Sequence, residues 1–276
     1  MSRSVPAAGA VPVSATPAGV WSCWLGGADG RVADREAARA VQQAWPGAVA
    51  AAQAGQEFAR AVTWYAGFSR GIRQVLHVGA MLPVPGLVSE AERHALRDCR
   101  VVRAAGGPPA ADTEARTGVA QVCADVRDPA ALLPAAGRVL DFTEPALVLL
   151  VAVLDFVADD DSPARVAGDL AAALAPGSLI AVSHLTADQA PGQVAAGIAA
   201  WNSRVPVAWQ PRSRAAVAAL FGGLPLLPGL VPAAWWRAIP GKGLGQPGDV
   251  YGAVAGLAGD PAAIVTDALA GPGTPS

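Results

Sequence analysis

Hydrophobic and polar positions change rhythm twice along the chain. Residues 1–19 hold Pro, Ala, Gly and Ser with no period, which predicts a disordered tail. The stretch DREAARAVQQAW then takes helical spacing, with Asp34 placed as N-cap and Pro46-Gly47 as the stop. A second helix is predicted over Ala48–Phe68, so residues 20–70 form a helical segment packing on whatever follows. After Gly71 short apolar runs alternate with helical stretches. Strands are predicted at Ile72–Val78, Cys99–Ala104, Val119–Ala124, Ala146–Val153 and Ser178–Leu185. The run Ala146–Val153 is continuously apolar, as a central parallel strand buried on both faces must be. Helices are expected over Val88–Asp98, from Asp128-Pro129, from Ser162-Pro163 to Pro176-Gly177, over Gln189–Asn202 and over Ser213–Phe221. GLPLLPGLVPAAWW and DVYGAVAGLA suit a closing antiparallel hairpin. Residues 71–258 thus read as one α/β domain and 259–276 as a second tail.

Composition narrows the classes. Of 276 residues, 53% are hydrophobic and 15% charged, enough apolar material for a sizeable core and too much for a disordered chain. The formal net charge is −2, so phosphate neutralisation has no basic excess to work with and nucleic acid is not expected as a partner. Three scattered cysteines and three histidines offer no disulfide framework and no metal-ligand spacing. The Ala146–Leu154 run, closed by Asp155, falls far short of the ~20 residues of a membrane span. Pro6 and Pro12 break what would be the apolar core of a signal peptide. A cytoplasmic protein is expected. One lysine among abundant Arg, Ala, Gly and Pro points to a GC-rich bacterial gene.

In a parallel sheet the ligand sits outside the carboxyl ends of the strands. Gly79 follows the first strand and either makes a turn or lets backbone approach a ligand. Asp125 follows the third strand. It can accept from an exocyclic amine such as that of adenine, or pair with Arg127 as a loop carboxylate. Asp155 ends the most buried strand and suits a general base or a cation-binding group. The alternative, favoured by the following Asp159-Asp160-Asp161, is a loop acid in a solvated turn. His184 is an acid–base candidate at the end of the fifth strand, against the commoner outcome of a structural histidine. Its neighbour Ser183 points to the opposite face, and no G-x-S-x-G elbow exists, so a Ser-His-Asp hydrolase is excluded. For the eight tryptophans, Trp235-Trp236 among them, core packing is the default reading.

WSCWLGGADGRVADRE (Trp21–Glu36), IRQVLHVGAMLP, ADVRDPAALL, LVLLVAVLDFV and SLIAVSHLTAD resemble a bacterial family of S-adenosylmethionine-dependent methyltransferases of unknown substrate. The resemblance runs from about Val20 to Gly256. It implies a class I methyltransferase-like (Rossmann-like) α/β fold: a seven-stranded, mostly parallel sheet with a reversed last hairpin, helices on both faces and an N-terminal helical extension. It implies S-adenosyl-L-methionine as cofactor, with Gly79 and Pro83 at the methionyl end and Asp125 and Val126 flanking the adenine. A small-molecule acceptor is the implied partner. Asp155 and His184 are the candidate bases, should the acceptor need one.

The sequence departs from the family pattern at several strand ends. The first-strand motif D-[IV]-G-T-G-x-P-T reads His77-Val78-Gly79-Ala80-Met81-Leu82-Pro83-Val84 here. The second strand ends without an acid until Asp112, although a charge-assisted hydrogen bond is worth about 1.5–3 kcal/mol. The family's Asn-Arg pair in the second helix is Gly55-Gln56, and its common His before Phe156 is Asp155. These departures support a second reading, a catalytically inactive pseudo-enzyme that keeps the fold for binding. That reading expects Met81 and His77 to fill the cofactor crevice.

Overall fold

The computed structural model describes residues 14–28, 30–79, 99–106, 119–236 and 248–257. Seven strands form one sheet: β1 (Gln74–Val78), β2 (Arg100–Ala105), β3 (Ala120–Cys123), β4 (Leu147–Val151), β5 (Leu179–Leu185), β6 (Leu226–Pro232) and β7 (Val250–Gly256). Their order is β3-β2-β1-β4-β5-β7-β6. β7 runs antiparallel to both of its neighbours, and every other pair is parallel. The seven-stranded sheet with a reversed closing hairpin is the one the resemblance implies. Strand order reverses between β1 and β4, and in sheets of this kind ligands bind outside the carboxyl ends of the strands at such a point.

The helices are α1 (Pro17–Trp24), α2 (Val32–Ala44), α3 (Ala48–Phe68), α4 (Pro129–Ala136), α5 (Pro163–Ala172), α6 (Pro191–Asn202) and α7 (Arg214–Ala219). The first three and α6 pack on one face of the sheet, and α4, α5 and α7 on the other. β4 shows why. All five of its residues are buried, with Leu147, Leu149 and Val151 in the core under α3 and Val148 and Leu150 in the opposite one. A strand covered on both sides must be apolar at every position.

Local signals set most boundaries. Asp128 caps α4 through Ala131 N, with Pro129 in the first turn as expected. The predicted helix Ala48–Phe68 is α3 to the residue. Two expectations are corrected at the N-terminus. Thr16 caps α1 through Gly19 N, so ordered helix starts at Pro17, inside the stretch expected to be disordered. Asp34 is not the N-cap of α2. That position is Arg31, and Asp34, two residues inside the helix, reaches back to accept from Arg31 N at 2.9 Å and from Thr16 N at 2.7 Å. Burial works to raise the Asp34 pKa, yet the hydrogen bonds from Arg31 and Thr16 outweigh it and hold the carboxyl below its usual range. One carboxylate thereby fastens α1 to α2. The loop Gly79–Gly86 beyond its first residue, the helix expected over Val88–Asp98 and the tail 259–276 lie outside the described residues.

Five of the eight tryptophans meet on the α3 side of the sheet. Trp21 and Trp24 come from α1, Trp45 from the end of α2, Trp201 from α6 and Trp209 from the loop after it. Trp21 and Trp209 have ring centroids 5.0 Å apart at 63°. Phe156 packs on Trp21, Trp201 and Trp209. Rings at these separations and tilts add about 0.5–1.5 kcal/mol per pair beyond their buried area. The cluster holds the N-terminal segment against the carboxyl edge of the sheet.

Candidate functional site at the carboxyl edge of the sheet

Gly79 leaves β1 with φ +105°, in the left-handed region that favours glycine. Its N–H donates to Ala104 O at 2.7 Å. A Cβ here would stand 3.2–3.3 Å from the Val153 side chain, so the backbone bend is packed against the end of β4. Across the switch point Ala152 also has a positive φ, 51°, although it is not a glycine. Such strain persists only where surrounding contacts enforce it. Here the Ala152 N–H donates to both the carbonyl (3.3 Å) and the hydroxyl (3.2 Å) of Ser183. Met81 and Pro83 lie outside the described residues, as does Asp112. β2 ends at Ala105 without an acid, as the sequence indicates.

Asp125 stands in the loop after β3, with its carboxylate gripped by Arg127 through Nε (3.0 and 3.1 Å) and Nη2 (2.5 Å). The Arg127 hydrogen bonds hold the Asp125 carboxyl below its usual range. The pair is about half exposed, so it is worth at most ~1 kcal/mol, and an incoming amine can compete for the same oxygens.

Asp155 overturns the expectation of a solvated turn acid. It sits in a single 3-10 turn, Leu154–Phe156, and is 1% exposed. Its Oδ1 accepts from Leu185 N at 2.6 Å and lies 3.4 Å from Trp209 Nε1 and 3.6 Å from His184 Nδ1. Its Oδ2 is buried without a hydrogen-bond partner. An unmet buried acceptor costs about 1–3 kcal/mol, and more for a charged group. Asp155 also lines a cavity of about 10 Å³, together with Trp21, Gly55, Ala152, Ser183 and Trp209 among others. That volume is roughly the room one water-sized group needs.

His184 is fully buried and committed. Arg212 Nη1 lies 2.7 Å from Nε2, and an arginine can only donate, so Nε2 accepts. Nδ1 then carries the ring proton and donates to Leu185 O at 2.8 Å. No lone pair of His184 is left for a substrate proton, and of its two expected readings the structural one fits. Arg212 also donates to Leu154 O and Val157 O, both at 2.8 Å, and to Asp159 Oδ1 at 2.6 Å. This buried guanidinium fixes the turn that carries Asp155. Sequence reasoning missed Arg212, Trp21, Trp209 and the cavity role of Gly55. The glycine at the family's Asn position was the one signal available.

A profile of the S-adenosyl methyltransferase family matches residues 11–261. The chain belongs to that family. It is similar to a protein of family DUF574 from Streptomyces avermitilis, with 29% identity and a TM-score of 0.81 over 88% of this chain and 98% of that one. It is also similar to a Thermobifida fusca protein named as a candidate methyltransferase, with 28% identity and a TM-score of 0.78 over 89% of this chain and 96% of that one. No curated protein matches. The fold of this methyltransferase-family chain is therefore the class I fold its sequence implied.

His77, at the acid position of the motif the sequence resembles, is inside β1, as the strand predicted over Ile72–Val78 places it. It pairs in register with Arg103 and Leu149, on the sheet face where α3 lies. Both ring nitrogens are buried and lack partners. Burial, aided by the Arg103 charge, pushes its pKa down to about 3. Below pH 6.5 the unfolded chain takes up a proton here that the folded chain refuses until about pH 3, so stability falls as pH drops through that window. Urea unfolding at pH 7 and pH 4.5 checks this. His77→Leu is expected to lose about 2–3 kcal/mol less than the parent between the two, and an equal loss would contradict the assignment.

Proposed function

We propose that this family member transfers a methyl group from S-adenosyl-L-methionine to a diffusible small molecule in the cytoplasm, without a nucleic-acid or membrane partner. Among the described residues no helix is long and apolar enough to cross a membrane. The observation that carries the proposal is the pairing of two left-handed bends, Gly79 and Ala152, at the point where the strand order reverses. A bare glycine backbone there suits the methionyl end of the cofactor, with Pro83 four positions on in the sequence. Asp125 and the adjoining Val126 suit the adenine, the carboxylate accepting from its amine. When bound, the cofactor supplies a methyl group on a positively charged sulfur.

What the chain contributes is placement. The tryptophan cluster closes the α3 side of the edge and keeps water away from it. Much of a methyl transfer can rest on holding the acceptor in line, so an essential base is not required. Asp155 lines the cavity at this edge and has an unmet oxygen, and it is the group placed to take a proton should the acceptor release one. Thermal unfolding with and without 1 mM S-adenosylmethionine tests the proposal. Binding at about one-hundredth of that concentration stabilises by about 2.7 kcal/mol, a rise of roughly 5–10 °C. An unchanged midpoint would contradict it.

A further inference from the structure

Asp155 is a buried carboxylate half of which is unmet. Oδ1 has its partners, but Oδ2 has none, and no arginine or lysine pairs with Asp155 among the described residues. Arg212, the nearest buried cation in the network, is spent on two carbonyls, Asp159 and His184. Both donors that the described residues offer, Leu185 N–H and Trp209 Nε1–H, go to Oδ1, so Oδ2 calls for a positive or proton-donating partner from outside them. The cavity that Asp155 lines is water-sized, and an ammonium head is close to a water in size. Two of its walls are the indoles of Trp21 and Trp209, set at a steep angle to one another. Trp209 turns its Nε1–H edge to Asp155 Oδ1 at 3.4 Å, which leaves Oδ2 as the acceptor free for a guest. A buried carboxylate oxygen, two aromatic walls and a small volume are together the chemistry of an ammonium receptor.

The geometry points to Asp155, Trp21 and Trp209 as the binding site for the ammonium group of a cationic small molecule. Resting on the methyltransferase reading, this makes that molecule the methyl acceptor, with the ammonium as its anchor. An anion is repelled by Asp155, and a neutral hydroxyl leaves its charge uncompensated. Gly55 makes room for the head. A Cβ there would meet Val151 Cγ1 at 3.6 Å and Ser183 Oγ at 3.8 Å, ordinary contacts, so Gly55→Ala fits the fold while taking space from the cavity.

Two of the cavity walls are tryptophans, so the full-length protein's own fluorescence reports occupancy. It is titrated with ethylammonium chloride, with ethanol as the neutral counterpart and sodium chloride at matched ionic strength. The expected result is a saturable change in the millimolar range with ethylammonium alone. Asp155→Asn and Gly55→Ala are each expected to weaken it at least tenfold. Gly55→Ala serves as the test if Asp155→Asn fails to fold. A cavity that merely holds water gives no saturable change. That result, an equal response to ethanol, or an unaltered response in Gly55→Ala would overturn the inference. S-adenosylmethionine binding is measured on the same sample. Cofactor binding without an ammonium response removes this inference and leaves the methyltransferase reading. An ammonium response without cofactor binding leaves the ammonium site and removes its assignment to a methyl acceptor.

Discussion

Replacing Arg212 with methionine is expected to destabilise the protein by about 3–5 kcal/mol, the largest loss from any single change at this edge. The substitution keeps an apolar stem of similar length and removes every donor. Leu154 O, Val157 O and His184 Nε2 are then left buried without their partner. Each orphaned acceptor costs about 1–3 kcal/mol, with some relief from relaxation. Asp159 is different. Its side chain is 83% exposed and returns to water, so Asp159→Asn should cost less than about 1 kcal/mol. The contrast separates the two roles of one guanidinium. Guanidinium chloride unfolding of both variants decides it, with a loss below about 1 kcal/mol for Arg212→Met contradicting the assignment. The same variant should loosen the turn holding Asp155, because Arg212 bonds the carbonyls on either side of it.

The second large effect is expected at Gly79. An alanine there must adopt a left-handed φ and push on Val153 at 3.2–3.3 Å. Strain of this kind costs about 1–3 kcal/mol. Gly177 supplies the control. Its φ is +87°, and a Cβ there meets only Pro145 at an ordinary 3.6 Å or more. It lies just before β5, at the end of the sheet away from the site. Both alanine variants should lose stability, but only Gly79→Ala should lose affinity for S-adenosylmethionine, by at least tenfold. Equal affinities in the two would mean that the bend at Gly79 does not face the cofactor.

Much of the fold was legible in the sequence because its signals are local. Pro46-Gly47 and Gly71 bracket α3, Asp128-Pro129 opens α4, and the unbroken apolar run of β4 requires cover on both faces. Boundaries blurred where a cap is reciprocal. Asp34 has the chemistry of an N-cap, and nothing in the local pattern says that it reaches back to Arg31 and Thr16 from inside the helix. The site was less legible because its contacts are distant in the chain. Asp155 reads as solvated beside three further acids, yet Leu185 and Trp209, 30 and 54 residues away, bury it. His184 reads as a possible base until Arg212, 28 residues on, takes its free nitrogen. The motif losses at His77 and at the end of β2 were visible from the start. The burial of His77 within the strand was not, since it depends on the neighbouring strands and the helices above them.

Calorimetric titration of the full-length protein with S-adenosylhomocysteine tests the central claim most directly. One saturable site in the micromolar range is the expected result, abolished or strongly weakened in Gly79→Ala and retained in Gly177→Ala. No heat at millimolar ligand would contradict the account, leaving a methyltransferase fold that no longer holds its cofactor.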